Sequence, residues 1–155
     1  QTLRMRPDRI MVGECRGGEA LDMLQAMNTG HDGSMTTVHS NSPRDCMGRL
    51  ETLVQYAGAG LNQRTIREMI ASAVHVVIQA SRLDDGSRKS IAITEVGGMQ
   101  GDVITLQDIF HFKQEGINKK GKIEGTFQAS GFIPKFIETL ERKGYKVPRG
   151  LFSNS

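Results

Sequence analysis

Glu14 is the residue of this sequence best placed to do chemistry. It follows the apolar run Ile10-Met11-Val12 and the small residue Gly13, and precedes Arg16 and the pair Gly17-Gly18. A buried strand that stops at glycine and hands over to a carboxylate is how a nucleotide-hydrolysing enzyme presents an acid to a metal-bound phosphate. Two histidines, His31 and His39, stand before and after a strand-like segment in the run TGHDGSMTTVH. A histidine near such an acid can hydrogen-bond a terminal phosphate or relay a proton near neutral pH. At a strand end it can equally satisfy a neighbouring carbonyl. A metal site made of Glu14, Cys15, His31 and His39 is the rival reading. Their spacing matches no standard zinc pattern, and neither H-E-x-x-H nor paired C-x-x-C occurs.

A nucleotide hydrolase also needs a loop that cradles phosphates. One stretch nearly fits, Gly116 to Ile123, with Gly121-Lys122 where G-K is required. Ile123 has no oxygen for a metal, and the alternating Glu124-Gly125-Thr126-Phe127 will not open a helix. This stretch reads as a Gly-Asn-Lys hairpin loop, so the 155 residues contain no P-loop.

The elements that must position Glu14 and His39 follow from periodicity. Residues 9–13 read as a short buried strand that begins after Pro7, which cannot donate to a ladder. A helix follows from about Glu19, with Ala20, Met23, Leu24 and Met27 on one stripe and Asn28-Thr29-Gly30 as its stop. Glu19 suits the positive end of that helix. Ser34–Val38 reads as a second short strand. Ser42 and Pro43 open a helix over 43–56 whose buried face carries Met47, Leu50 and Val54. Asn62 caps another over 63–73, with Ile66, Met69, Ile70 and Ala73 in line.

The pattern then turns to strands: Val74–Ala80 and Ser90–Val96 around the turn Asp84–Ser87, then Val103–Phe112 and Lys122–Phe127. Pro134 opens a last helix, with Ile133, Phe136, Ile137 and Leu140 apolar and Gly144 as its C-cap. Strand–helix–strand–helix–helix, then mostly strands, then one helix, predicts an α/β layer architecture with a β-rich edge and tail.

Composition narrows the function classes. Hydrophobic residues make up 37% and charged residues 24%, which favours a folded unit over disorder. A net charge of +3 does not by itself argue for nucleic acid. Cys15 and Cys46 fit a reducing compartment better than a disulfide scaffold. The longest uncharged stretch, around Ala71–Ser81, is far short of the roughly 20 apolar residues that span a bilayer, so no transmembrane segment is expected. No signal peptide is visible, and the chain opens at Gln1 close to a motif, which suggests a fragment from the C-terminal part of a longer protein.

The motifs in their order carry a resemblance. RPDRIMVGECRGGEALDMLQAMNTGHDGSMTTVHSNSP resembles the Walker B and histidine boxes of the type II/type IV secretion and pilus ATPase superfamily, with the GE-x-R acid end, the TGH and the T-x-H in place. LQDIFHF and GKIEGTFQASGFIPKFIETLERKG resemble the C-terminus of the CpaF-type, tight-adherence (Flp) pilus-assembly ATPases. The likeness runs over essentially all 155 residues, and the family's N-terminal domain, P-loop and aspartate box would lie upstream.

This resemblance implies a RecA-like P-loop NTPase core without its P-loop half, over residues 1–100, and a C-terminal extension of β-hairpin plus helix over 101–155. It implies an ATPase that uses ATP and Mg²⁺ and forms hexamers in the bacterial cytoplasm, peripheral to the inner membrane, beneath an inner-membrane platform protein. Hydrolysis would drive pilin assembly or protein export, and the piece alone would be inactive. Glu14 would order the attacking water and support Mg²⁺ through a water shell, and His39 would report the γ-phosphate. Gly13, Arg16, Thr29, Gly30, His31 and Thr37 would lie near the nucleotide. Arg16 holds the loop or a neighbouring acid, and Thr29, Gly30 and His31 shape the turn before the second strand. Arg4, Arg6 and Arg9 read as a solvated entry to the first strand, with a phosphate or subunit contact as the functional alternative. Two other readings stay open: a non-catalytic regulatory module, in which Glu14 and His39 share no site, and a RecA-like nucleic-acid translocase. The translocase would need a basic, aromatic-bearing loop, and aromatics are only 5%.

Overall fold

The computed structural model describes residues 11–30, 33–58 and 60–154. Residues 9 and 10 of the first strand, the arginines at 4, 6 and 9, and His31 lie outside the described residues. The chain is α/β and divides into two compact units. The first takes the described residues up to His75 together with 98–105, and the second takes 76–97 and 106–154.

In the first unit the three helices form where short-range signals place them. α1 spans Glu19–Asn28, α2 Pro43–Ala57 and α3 Gln63–Ala73. Ser42 accepts from the Asp45 N–H, and the Asp45 carboxylate accepts from the Asn41 N–H at 2.9 Å, so the start of α2 is satisfied reciprocally. Asn62 caps α3 through the Thr65 N–H at 2.8 Å. The three helices pack on one another. Leu24, Val54, Ile66 and Ile70 are fully buried there, each contributing about 1.5–3 kcal/mol by leaving water.

Arginines then hold the turn at 98–105 to these helices. Arg44 Nη1 donates to the Ile104 carbonyl at 2.7 Å, and Arg67 Nη1 to the Asp102 carbonyl at 2.8 Å. Glu51 steers Arg67 through Nε at 3.0 Å and accepts from Gln63 at 2.6 Å.

Two short strands complete this unit. β1 (Met11–Val12) and β2 (Met35–Thr36) pair in parallel, Met11 with Met35 and Val12 with Thr36. The expectation of a buried first strand is corrected: Met11 is 76% exposed and Met35 57%. A parallel ladder is buried only where layers cover both faces, and here the outer face of the methionine pair meets solvent.

The second unit is built on the sheet β3-β4-β5-β6. β3 spans Val76–Arg82, β4 Arg88–Gln100, β5 Val103–Ile117 and β6 Ile123–Ala129. β4 and β5 run well beyond their sequence-based ends, passing through Gly97-Gly98 and Gly116. Glycine weakens a strand locally, but pairing with the adjacent hairpin strand carries the ladder across it, as Gly116 with Glu124. Gly125 has a positive reason to be glycine: a Cβ there would meet the Lys113 carbonyl and the Phe112 ring. The near-match to a P-loop closes the β5–β6 hairpin. The Asn118 side chain accepts from the N–H groups of Lys120 and Lys122, both at 2.9 Å.

Helix α4 is Phe136–Arg142, followed by a 3-10 turn at Arg149–Phe152 that the sequence reading did not include. Ile109, Ile137 and Phe152 form the core, with Ile93, Phe110, Phe132 and Leu140 against it. The buried carboxylate of Glu95 accepts from the N–H groups of Lys135 and Phe136 at 3.0 and 3.2 Å, satisfying donors at the start of α4.

Asp85 ties the β3–β4 turn to β6. It accepts from the Ser87 N–H at 2.8 Å and the Ser87 hydroxyl, and from the Ile123 N–H at 2.7 Å. The Ser87 hydroxyl, then the backbone donors, pull its pKa from 3.8 down to about 2. A carboxyl depressed on folding stabilises above its unfolded pKa and loses that stabilisation as pH falls through the folded value. The thermal midpoint of the wild type should therefore fall more steeply than that of Asp85→Asn between about pH 4 and pH 2. Parallel acid limbs in a circular-dichroism melt series would contradict this.

Candidate active site

The end of β1 and the segment after β2 come together through backbone bonds. The Cys15 N–H donates to the Thr37 carbonyl at 2.9 Å, and the Thr37 hydroxyl donates to the Gly13 carbonyl at 2.6 Å. Gly13 and Thr37 thus frame Glu14 from both sides.

The Glu14 side chain is 23% exposed and sits between two exposed side chains, Arg16 and His39. Arg16 Nη2 lies 2.6 Å from Oε2, and His39 Nε2 lies 2.8 Å from Oε1. The His39 approach is at ion-pair distance without hydrogen-bond alignment. Oε1 is therefore buried and, among the described residues, has no aligned donor. The hydrogen bond from Arg16 is the main cause holding the Glu14 pKa below its ordinary 4.5; desolvation opposes it, and the charges of Arg16 and His39 add to the lowering. Glu14 is thus an anion at neutral pH. Such a carboxylate is a weak proton acceptor and acts by orienting a water and supplying charge.

Cys15 beside it is 3% exposed, and burial pushes its thiol up to about 11. It is a small buried neighbour with no thiolate character at neutral pH. Cys46 is raised by burial too.

Thr29 and Gly30 lie elsewhere. The Thr29 hydroxyl donates to the Gln25 and Ala26 carbonyls at 2.9 and 3.2 Å, closing the last turn of α1. Glu14 precedes the other end of that helix, which at ten residues is about 15 Å long. The structure thus joins Gly13, Glu14, Arg16, Thr37 and His39, and leaves Thr29 and Gly30 at the turn before β2. The sequence reading missed Glu19 as a neighbour of this loop. Its carboxylate accepts from the N–H groups of Arg16 and Gly17, at 2.6 and 3.1 Å. The signal was present as an acid at the first position of a helix after a Gly-Gly turn, where a carboxylate finds free N–H groups.

Glu14 alone could meet Mg²⁺ only through the ion's own waters. No group of three His, Cys, Asp or Glu side chains able to hold a metal occurs among the described residues. A single anionic carboxylate is a ligand set that Mg²⁺ uses only while it keeps several of its own waters.

Residues 1–127 match the family described as Type II/IV secretion system protein. The chain is 43% identical over 103 residues to a putative conjugal transfer protein of Mycobacterium tuberculosis, covering 66% of this chain and 29% of that protein. It is 45% identical over 87 residues to the conjugal transfer protein TrbB of Rhizobium radiobacter, covering 56% and 26%. Among solved structures it is similar to the VirB11 ATPase from the Brucella suis type IV secretion system, in complex with sulphate, with a TM-score of 0.57 and 34% identity. That match covers 61% of this chain and 29% of the other. The chain spans less than a third of the length of these relatives. With a family match over most of its length, the chain belongs to the type II/IV secretion system protein family.

Proposed function

We propose that this chain is the part of a secretion or pilus-assembly motor ATPase that carries the catalytic acid. One observation carries the reading: Glu14, at the end of a strand, is set between Arg16 on one carboxylate oxygen and His39 on the other, buried one. In the full-length protein Glu14 orients the attacking water and accepts from the water shell of Mg²⁺. The metal supplies charge neutralisation on the transferring phosphoryl group. His39, largely exposed beside Glu14, is placed to donate toward the terminal phosphate, and Arg16 keeps Glu14 ionised. Gly13 and Thr37 hold the strand ends in register. Thr29 and Gly30 act further off, by closing α1 at the turn that returns the chain to β2.

The finer reading is a CpaF-type pilus-assembly ATPase, supported by the tail motifs from Leu106 to Gly144. Residues 1–100 then belong to the RecA-like ATPase domain and 101–155 to a family-specific extension. The full protein works as a hexamer on ATP and Mg²⁺, at the cytoplasmic face of the inner membrane, against a platform protein. No described helix is long and apolar enough to cross a membrane. The absence of a P-loop sequence and the short span of the relatives support an upstream half that completes the nucleotide site. A regulatory module without catalysis would leave Glu14 and His39 apart, and their 2.8 Å contact favours the motor.

The test is Mg-ATP turnover of this chain, of the separately made upstream half, and of the two mixed. Turnover is expected only in the mixture. Its absence from a mixture shown to associate would overturn the split-site reading.

A further inference from the structure

We propose that Glu19 is a positioning residue for the catalytic acid: its carboxylate fixes the backbone of Arg16, and Arg16 in turn fixes Glu14. This rests on the reading of Glu14 given above. Glu19 is the first residue of α1, and its side chain turns back onto the loop that precedes the helix. One oxygen, Oε1, takes both the Arg16 N–H at 2.6 Å and the Gly17 N–H at 3.1 Å. These N–H groups stand before the helix and have no place in its ladder. The Arg16 side chain is 77% exposed, and a long exposed arginine is free to sample many rotamers. Its 2.6 Å contact with Glu14 therefore depends on where its backbone starts.

The rest of the loop is secured from the other side, by Thr37 on Gly13 and Cys15. Glu19 secures the remaining stretch, between Cys15 and the helix. Gly17 fits this arrangement, since a Cβ there would stand 3.3 Å from Glu19 Oε2. The Arg16 N–H foremost, then Glu19's own backbone N–H, hold the Glu19 carboxyl below its ordinary range, with the Gly17 N–H adding to them.

The plainer role for an acid at this position is to complement the positive end of the helix. Two conservative variants of the full-length protein separate the roles, because one keeps charge and the other keeps reach. Glu19→Asp keeps the negative charge at the helix start, but is a methylene too short to reach both N–H groups. Glu19→Gln loses the charge and keeps an oxygen at the right distance. Positioning predicts that Glu19→Asp lowers kcat about tenfold with KM for ATP unchanged, while Glu19→Gln stays within about twofold of wild type. Hydrogen exchange of the 14–18 segment, measured without nucleotide, should be faster in Glu19→Asp and unchanged in Glu19→Gln. The opposite order, or wild-type turnover and exchange in both variants, overturns the proposal. Glu14→Gln serves as the control: if it turns over ATP normally, the reading of Glu14 itself fails, whatever Glu19 does.

Discussion

Glu14→Gln in the full-length protein is expected to lower Mg-ATP turnover by about two to three orders of magnitude, the usual worth of one preorganised electrostatic contact. Glutamine has nearly the same shape, so the strand end and its bonds to Thr37 should stay as they are. What disappears is the charge. The carboxylate that faces Arg16 at 2.6 Å and His39 at 2.8 Å becomes an amide. An amide offers a water one weak acceptor in place of an anionic one, and it leaves the Arg16 guanidinium without its counter-ion. The loss should fall on kcat and spare ATP binding, since an interaction with the attacking water is made chiefly in the transition state.

The pH dependence follows from the sign of the shift. Arg16 lowers the Glu14 pKa below 4.5, so the acid form is populated only below the ordinary carboxylate range. Turnover in the wild type should not titrate through this group between neutral pH and about pH 5. A fluorescent-nucleotide titration beside a phosphate-release assay separates binding from chemistry. Unchanged release in Glu14→Gln would place the acid elsewhere.

Ile66→Ala should cost the first unit about 2–5 kcal/mol of stability. Ile66 is fully buried on α3, on the same stripe as Ile70 and Ala73. That stripe packs against α1 and α2. Removing three carbons there loses transfer energy and opens a cavity that stiff neighbouring helices fill poorly. The effect bears on function as well, because α1 begins just after the Glu14 loop and α2 begins just after His39. Ile66→Val, which removes a single methyl, should cost only about 0.5–1.5 kcal/mol. Urea unfolding gives both values from the midpoint shift at constant slope. Equal costs for the two variants would show that the site collapses around the smaller side chain.

The sequence by itself determined the three helices of the first unit. Ser42 with Pro43, and Asn62, open α2 and α3 because capping is settled within four residues. Stripes such as Met47, Leu50 and Val54 name the buried face because the helical period is local. Glu14 stood out as the candidate acid for a similar reason, as a charged residue placed directly after an apolar run and a glycine. The strands were legible in kind but not in extent. β4 continues past Gly97-Gly98 beside β5, which follows it after the turn at 101–102, and the Thr105 hydroxyl donates to the Gly98 carbonyl at 3.1 Å.

Only the tertiary structure decided what Glu14 meets. His39 is brought to 2.8 Å by the parallel pairing of β1 with β2, with all of α1 as the crossover between them. That same crossover carries Thr29 and Gly30 to the far end of α1, although they stand nearer to Glu14 in the chain than His39 does. Among the described residues no layer covers Met11, on a strand whose composition reads as buried. Period and capping act over a few bonds, so they are written along the chain. Which ends of two strands lie side by side, and which faces are covered, depends on pairing and packing between distant segments, which no local stretch of the sequence encodes.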